Sequence, residues 1–382
     1  MKNLKSLSFV IVTHVYATGP SFKLEEYLKD KVDTLVFIGH PFSFAEDTRS
    51  FLRIYKRGAL IEEKKFKSWK GTEISFYIKD LCLTMWWYLK YRRKTDYFIG
   101  VNNFNVFAGL VLGLFLNVGR VIFYTIDYVP NRFTNPFLNS LYHFLDRLAV
   151  SRSHKVWNLS KIMVSEREKS GISREFRDKQ IEVPIGTDIR GKPLSFDKID
   201  KGKIVFLGHL RSGQGIEMLI SAMGEVVREV KRAHLLIIGG GMLENSLKSR
   251  IKRLGLERKI KITGFVKEYD DVKRFMRDGA IAVAPYVDDE NTYTRYTDPG
   301  KPKDYLASGM PVVITKVPQV AYEIEKYKCG FAIDYNKKQL VDCLVELLTN
   351  ETKYKEFRKN AFTFAKKYTW EKVFRDALSQ SL

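Results

Sequence analysis

Short apolar runs alternate along this chain with longer amphipathic stretches. Residues 7–13 (LSFVIVT), 35–38 (LVFI), 97–100 (YFIG), 121–126 (VIFYTI) and 155–159 (KVWNL) have the length and composition of strands buried on both faces of a parallel sheet. The stretches between them are long enough for helices, among them 22–28, 106–118 and 137–149. The pattern restarts after residue 202. Strands are expected at 203–207, 234–238, 260–265, 281–285 and 312–314, and a helix at 216–227 sets Ile216, Leu219, Ile220, Met223 and Val227 on one face. Helices at 340–348 and 353–377 close the chain. Alternation of strand and helix, run through twice, predicts an α/β protein of two doubly wound, Rossmann-like domains with right-handed crossovers. The expected boundaries are a first domain over 1–188, a polar linker over 189–201, a second domain over 202–355 and terminal helices over 356–382.

The length of 382 residues exceeds what one core usually supports, in keeping with two domains. A net charge of +21, spread rather than gathered in a tail, draws the protein to polyanions: nucleic acid, anionic lipid or phosphorylated small molecules. None of the familiar nucleic-acid motifs accompanies it, so nucleic acid is not an expected partner. Cys82, Cys329 and Cys343 lack any C-x-x-C spacing. Neither a disulfide framework nor a zinc site is therefore expected, and the absence of a secretory pattern points to a reducing cytoplasm. The longest apolar stretch, 106–118, falls short of the roughly twenty residues that span a bilayer and reads as a buried helix. Trp86, Trp87, Tyr88 and Tyr91 run into Arg92, Arg93 and Lys94. Rings beside cations suit a membrane interface, so peripheral attachment to the inner face of the cell membrane is expected.

Candidate chemistry concentrates in 299–315 (PGKPKDYLASGMPVVIT). A Pro/Gly turn opens a short helix whose unpaired N–H groups and partial positive charge suit an anion. Lys301 adds a point charge for a phosphate, and Asp304, placed in the helix's first turn, is expected to accept hydrogen bonds from a ribose diol. Gly309 and Pro311 then end the helix. Consecutive Asp288, Asp289 and Glu290 cannot all converge on one ion and read as a solvated loop, so no metal site is expected.

This segment resembles the donor site of GT-B glycosyltransferases, particularly the retaining family 4 group, whose members often read P-x-K-x-x-E-Y-x-A-x-G-x-P-V. Lys301, Asp304, Tyr305, Ala307, Gly309, Pro311 and Val312 fall in register, with Asp in place of the usual Glu. The loop Gly208-His209-Leu210-Arg211-Ser212-Gly213-Gln214-Gly215 sits where the family has G-R-L-x-x-x-K-G, so His209 and Gln214 replace the two cations that hold the diphosphate. Arg211, Lys301 or Arg295 would supply that charge instead. Gly264, Phe265 and Val266 match the backbone that faces the base, Gly19 matches the first-loop glycine, and Asp127 in DYVPNRF resembles a D-L-W-P segment over the sugar or acceptor. Of the frequent E-x7-E pair, the first position is Tyr296, and Asp298 is expected to occupy its space. Residues 183–188 (VPIGTD) resemble the hinge that closes the first domain, and Arg358, Asn360, Ala361, Tyr368 and Trp370 the helices that cross back onto it.

The resemblance implies two domains facing across a cleft and transfer of a hexose from a nucleoside-diphosphate sugar to a glycan or lipid-linked acceptor, with retention and without metal or other cofactor. Lys301, Arg211 and Asp127 would be the catalytic groups, and no side chain stands out as a nucleophile. Two other readings stay open: a nucleotide-sugar epimerase of the same architecture, and a non-catalytic basic binding protein, which His209 and Gln214 favour.

Overall fold

The structure, a computed structural model, describes residues 4–15, 19–91, 94–189, 191–289 and 293–382. The chain forms two compact units, one of residues 1–184 with 370–382 and one of residues 185–369.

In the first unit an eight-stranded sheet is ordered β4-β3-β2-β1-β5-β6-β7-β8. Its strands are β1 (Ser8–Val15), β2 (Thr34–Pro41), β3 (Phe51–Lys56), β4 (Ala59–Lys65), β5 (Thr95–Val101), β6 (Val118–Thr125), β7 (Lys155–Asn158) and β8 (Gln180–Glu182). All pair in parallel except β3 and β4, which extend the β2 edge as an antiparallel hairpin turning at Arg57-Gly58, both at positive φ. The apolar runs do not announce this hairpin, because β4 faces solvent along most of its length. The helices are α1 (Pro20–Leu28), α2 (Glu73–Lys90), α3 (Asn103–Phe115), α4 (Pro136–Arg152) and α5 (Ile162–Lys169). The strand order and right-handed crossovers put α2 to α5 on one face of the sheet and α1 on the other. In agreement, Leu83 and Trp87 of α2, Val106 and Leu112 of α3 and Ala149 of α4 share one core with Val10, Val12, Phe98 and Phe123 of the strands. Trp87 is therefore core, as are Val106, Ala108 and Leu112 of the stretch expected to be a buried helix. Leu114 and Phe115, at its end, stand exposed.

The second unit has a six-stranded, fully parallel sheet ordered β11-β10-β9-β12-β13-β14. These are β9 (Lys203–Leu207), β10 (His234–Ile238), β11 (Ile260–Ile262), β12 (Ile281–Ala284), β13 (Val312–Thr315) and β14 (Gly330–Ile333). Its helices are α6 (Ile216–Glu229), α7 (Glu244–Arg253), α8 (Tyr269–Met276), α9 (Gly300–Ala307), α10 (Val320–Lys326), α11 (Lys337–Thr349) and α12 (Glu351–Ala365). The polar stretch expected to be a linker is a strap on this unit: Ile199 is buried in its core, and Leu194 and Phe196 pack against it. Arg358 holds the strap by donating to the Leu194 carbonyl at 2.6 Å. The return to the first unit comes at Trp370 rather than at 356, because Tyr354, Phe357, Ala361 and Phe364 of α12 are buried in second-unit cores. The last helix, α13 (Trp370–Ser379), packs on α1 of the first unit, with Phe374 against Tyr27, and Trp157 donates to Ser381 beyond it at 2.9 Å.

Candidate functional site

Three loops converge at the carboxyl ends of β9, β10 and β11, the edge at which open α/β sheets bind ligands. Gly208 N–H donates to the Ile238 carbonyl and Leu210 N–H to that of Gly240, each at 3.0 Å, while Gly239 bridges to Gly264. The end of β9 is fixed from below by Tyr305, whose buried hydroxyl accepts the Leu207 N–H at 2.6 Å. Tyr305, expected among the donor contacts, is thus a strut under the loop. Phe265 stands 72% exposed beside Gly264 and Val266 packs inward, so of that trio the phenyl ring is free to face a base.

The 208–215 loop is shaped by two of its glycines. Gly215 has φ +68, and a Cβ there would lie 1.7 Å from the Pro285 carbonyl oxygen. A Cβ at Gly208 would come within 2.5 Å of Lys301 Nζ, so this position leaves room for the ammonium. Lys301 reaches the loop from the first turn of α9 and donates to Gln214 Oε1 at 2.6 Å. Gln214, the departure from the family pattern, is buried and serves as acceptor for the lysine. Burial, and then the Arg211 charge, push the Lys301 pKa down to about 8. Arg211 lies exposed over the Tyr293 ring at 5.2 Å and donates to its hydroxyl at 2.5 Å. His209 adds no cation at neutral pH, since burial and the charges of Lys301 and Arg211 hold its pKa below the usual value. The helices on either side, α6 after Gly215 and α9 after Pro299, both start without a side-chain cap. Two cations and two helix N-termini thus bound a glycine-lined cradle suited to a diphosphate.

The other expected donor residues are placed differently. Asp304 lies beyond the first turn of α9, and its Oδ1 accepts from the Thr187 hydroxyl at 2.7 Å. Burial raises its pKa against the pull of the Thr187 and Tyr269 hydroxyls and of Lys273. Asp298 does not stand in for the missing glutamate. It is buried against Lys303 and accepts the Ile185 N–H at 2.7 Å, while Lys303 donates to the Ile185 carbonyl at 2.8 Å and lies 4.2 Å from the Tyr368 ring centroid. The pair staples Ile185 to α9. Sequence reading missed Lys303, although two lysines two residues apart project roughly 200° from each other on a helix, so only one can reach the loop. Arg295 is spent on Asp288. Glu290 lies outside the described residues, among which no three His, Cys, Asp or Glu side chains gather as metal ligands.

In the first unit, Gly19 begins α1 in an extended conformation (φ −149°) that any residue adopts. Asp127 follows β6 at the carboxyl edge of that sheet and pairs with Arg132 at 2.9 Å. The same edge carries a buried polar network absent from the sequence reading. His14, ending β1, approaches Asp80 of α2 at 3.1 Å, and Asp80 also meets His40 of β2 at 3.3 Å and Lys79 at 2.8 Å. His40 is kept neutral, its pKa lowered to about 3 chiefly by burial. This network locks α2 onto the ends of two strands. Of the expected membrane cluster, Tyr91 is half-buried between Lys64 and Glu62, Trp86 is half exposed, and Arg92 and Arg93 lie outside the described residues.

Residues 201–350 match the family described as Glycosyl transferases group 1. An uncharacterized glycosyltransferase of Methanocaldococcus jannaschii is 25% identical over 227 residues, 59% of this chain and 58% of its own length. This chain thus spans under two thirds of that relative. Among solved structures, the sucrose-phosphate synthase of Thermosynechococcus elongatus is similar with a TM-score of 0.71 at 12% identity, covering 98% of this chain and 99% of that one. HepE of Anabaena, solved in complex with UDP, is similar with a TM-score of 0.70 at 13% identity, covering 98% of each chain. The second unit of this protein therefore carries a Glycosyl transferases group 1 domain, and the chain as a whole has the GT-B fold.

Proposed function

We propose that this protein transfers a hexose from a nucleoside-diphosphate sugar to a glycan or lipid-linked acceptor with retention of configuration, at the inner face of an anionic membrane. The observation that carries the reading is the cradle of Lys301, Arg211 and two uncapped helix N-termini around the 208–215 loop. Negative charge grows on the departing diphosphate as the glycosidic bond breaks. Donors already aimed at it lower the barrier without having to reorganise. Phe265 offers a face to the base, as in a donor like the one whose nucleotide occupies HepE. Asp127, held by Arg132, would meet the sugar or the acceptor.

Nucleotide release measured with a panel of nucleoside-diphosphate sugars, with and without lipid-linked acceptors, tests the reading. Acceptor-dependent release with one donor is the expected result; tight nucleotide binding with no release under any combination would favour the non-catalytic binder. Because Lys301 and the helix starts supply the positive charge, turnover is expected to survive excess EDTA. Abolition by EDTA and rescue by manganese would refute metal independence and direct attention to the Asp288 loop.

Asp304 is the proposed ribose ligand, although its carboxylate already accepts from the Thr187 and Tyr269 hydroxyls. Losing a hydrogen bond to a charged group costs about 1.5–3 kcal/mol. Asp304→Ala is therefore expected to weaken nucleotide binding about ten- to a hundredfold by calorimetry. A folded variant with a lower melting temperature but unchanged affinity would leave Asp304 only the task of anchoring Thr187.

A further inference from the structure

We infer that the outward face of α2, α3 and α4 in the first unit is the surface that lies in the headgroup layer of an anionic membrane. The inference rests on the proposed membrane partner and extends its location from Trp86 of the aromatic–basic cluster legible in the sequence onto α3 and α4.

Among the described residues, ten of the 22 large apolar side chains that stand exposed belong to these three helices. On α4, Phe137, Leu141 and Phe144 recur at i, i+4 and i+7, a stripe that would mark the core side of a helix were it not turned to solvent. On α2, Ile74, Ile78 and Trp86 repeat every four or eight residues along one exposed side. Phe115, 78% exposed, ends α3. The helices pack side by side, α2 on α3 and α3 on α4, so the stripes belong to one face. Patches of this breadth on a soluble surface mark a docking site.

Charge selects the occupant. The three helices hold three acidic residues, of which Asp80 and Asp146 are buried against cations of their own unit, Lys79 and Arg167, leaving Glu73 outward. Lys90, Arg147 and Arg152 stand toward solvent, and Lys90 places its ammonium 5.1 Å from the Trp86 ring centroid. Apolar side chains flanked by lysine and arginine with an interfacial tryptophan match an anionic lipid surface, in which the rings enter the acyl boundary and the cations meet headgroups. A second copy of the chain fits poorly, because each carries +21 and the two would repel.

The test is co-sedimentation with vesicles of phosphatidylcholine alone and of phosphatidylcholine with phosphatidylglycerol. It compares the wild type with a Phe115→Ser/Phe137→Ser/Leu141→Ser/Phe144→Ser variant and a milder Phe115→Ser/Phe137→Ser variant. The wild type is expected to pellet with the anionic vesicles and not with the neutral ones. The fourfold variant is expected to partition at least tenfold less, and the twofold variant to fall between, with melting temperature and UDP affinity unchanged in both. Equal pelleting of wild type and both variants would overturn this face while leaving membrane attachment standing; no pelleting of the wild type would overturn both. A wild type that is dimeric without lipid, and monomeric once substituted, would make the face a contact between copies and overturn the inference. Nucleotide release on a soluble acceptor reports separately on the glycosyltransferase reading.

Discussion

Replacing Lys301 by methionine is expected to lower turnover by about two to three orders of magnitude, the usual loss when one preorganised donor to a developing negative charge is removed. Methionine keeps an unbranched stem of similar reach and removes only the ammonium, so the 208–215 loop and the strut from Tyr305 stay in place. With His209 neutral, Gln214 uncharged and Arg295 paired to Asp288, Arg211 is the cation left at the cradle, and it is exposed to solvent and its screening salt. The pH dependence has a definite sign. Since burial holds the Lys301 pKa at about 8, the free site loses this charge as pH rises through 8, and diphosphate affinity is expected to fall above that pH. A bound diphosphate favours the protonated lysine, so binding at pH 8 is expected to draw in up to about half a proton. Calorimetry of UDP binding in two buffers of different ionisation enthalpy measures that uptake. Uptake unchanged in Lys301→Met would assign the proton to another group and remove Lys301 from the cradle.

The features read from sequence alone were those whose cause is local. A strand buried on both faces needs an unbroken apolar run, and β1, β2, β5, β6, β9, β10, β12 and β13 each have one, so two alternating sheets followed directly. The β3–β4 hairpin escaped because an edge strand carrying Glu62, Glu63, Lys64 and Lys65 looks like any solvated segment. The same division runs through the site. Lys301 and the glycine loop are set by short-range rules of helix starts and backbone room. The roles of Asp298 and Asp304 are decided by Ile185 and Thr187, more than a hundred residues away, and no spacing along α9 reveals them. Asp80 is a like case: nothing beside it on α2 singles it out, because its partners His14 and His40 lie on distant strands. The exposed stripe of α4 has no counterpart in the sequence reading, because helical periodicity states that a face is apolar and is silent on what covers it.

Lys303→Met, two residues from the first substitution, is expected to do the opposite: leave the diphosphate cradle intact and destabilise the second unit by about 3–5 kcal/mol. Lys303 is fully buried and its ammonium meets Asp298, the Ile185 carbonyl and the Tyr368 ring. Its removal strands a carboxylate whose pKa burial already pushes up, with, among the described residues, the Ile185 N–H left to satisfy it. A unit of this size loses roughly 2–4 °C of melting temperature per kcal/mol, so a drop of about 10 °C is expected. Asp298→Leu combined with Lys303→Met removes both charges and should recover much of that loss, because replacing a whole buried pair is far cheaper than halving it. The contrast between neighbours is the decisive readout: Lys301→Met lowers turnover and spares the melting temperature, whereas Lys303→Met lowers the melting temperature and spares nucleotide affinity below it. If Lys303→Met instead weakened UDP binding at full stability, the assignment of the two lysines on α9 would be reversed, and Asp298 would return to the donor site.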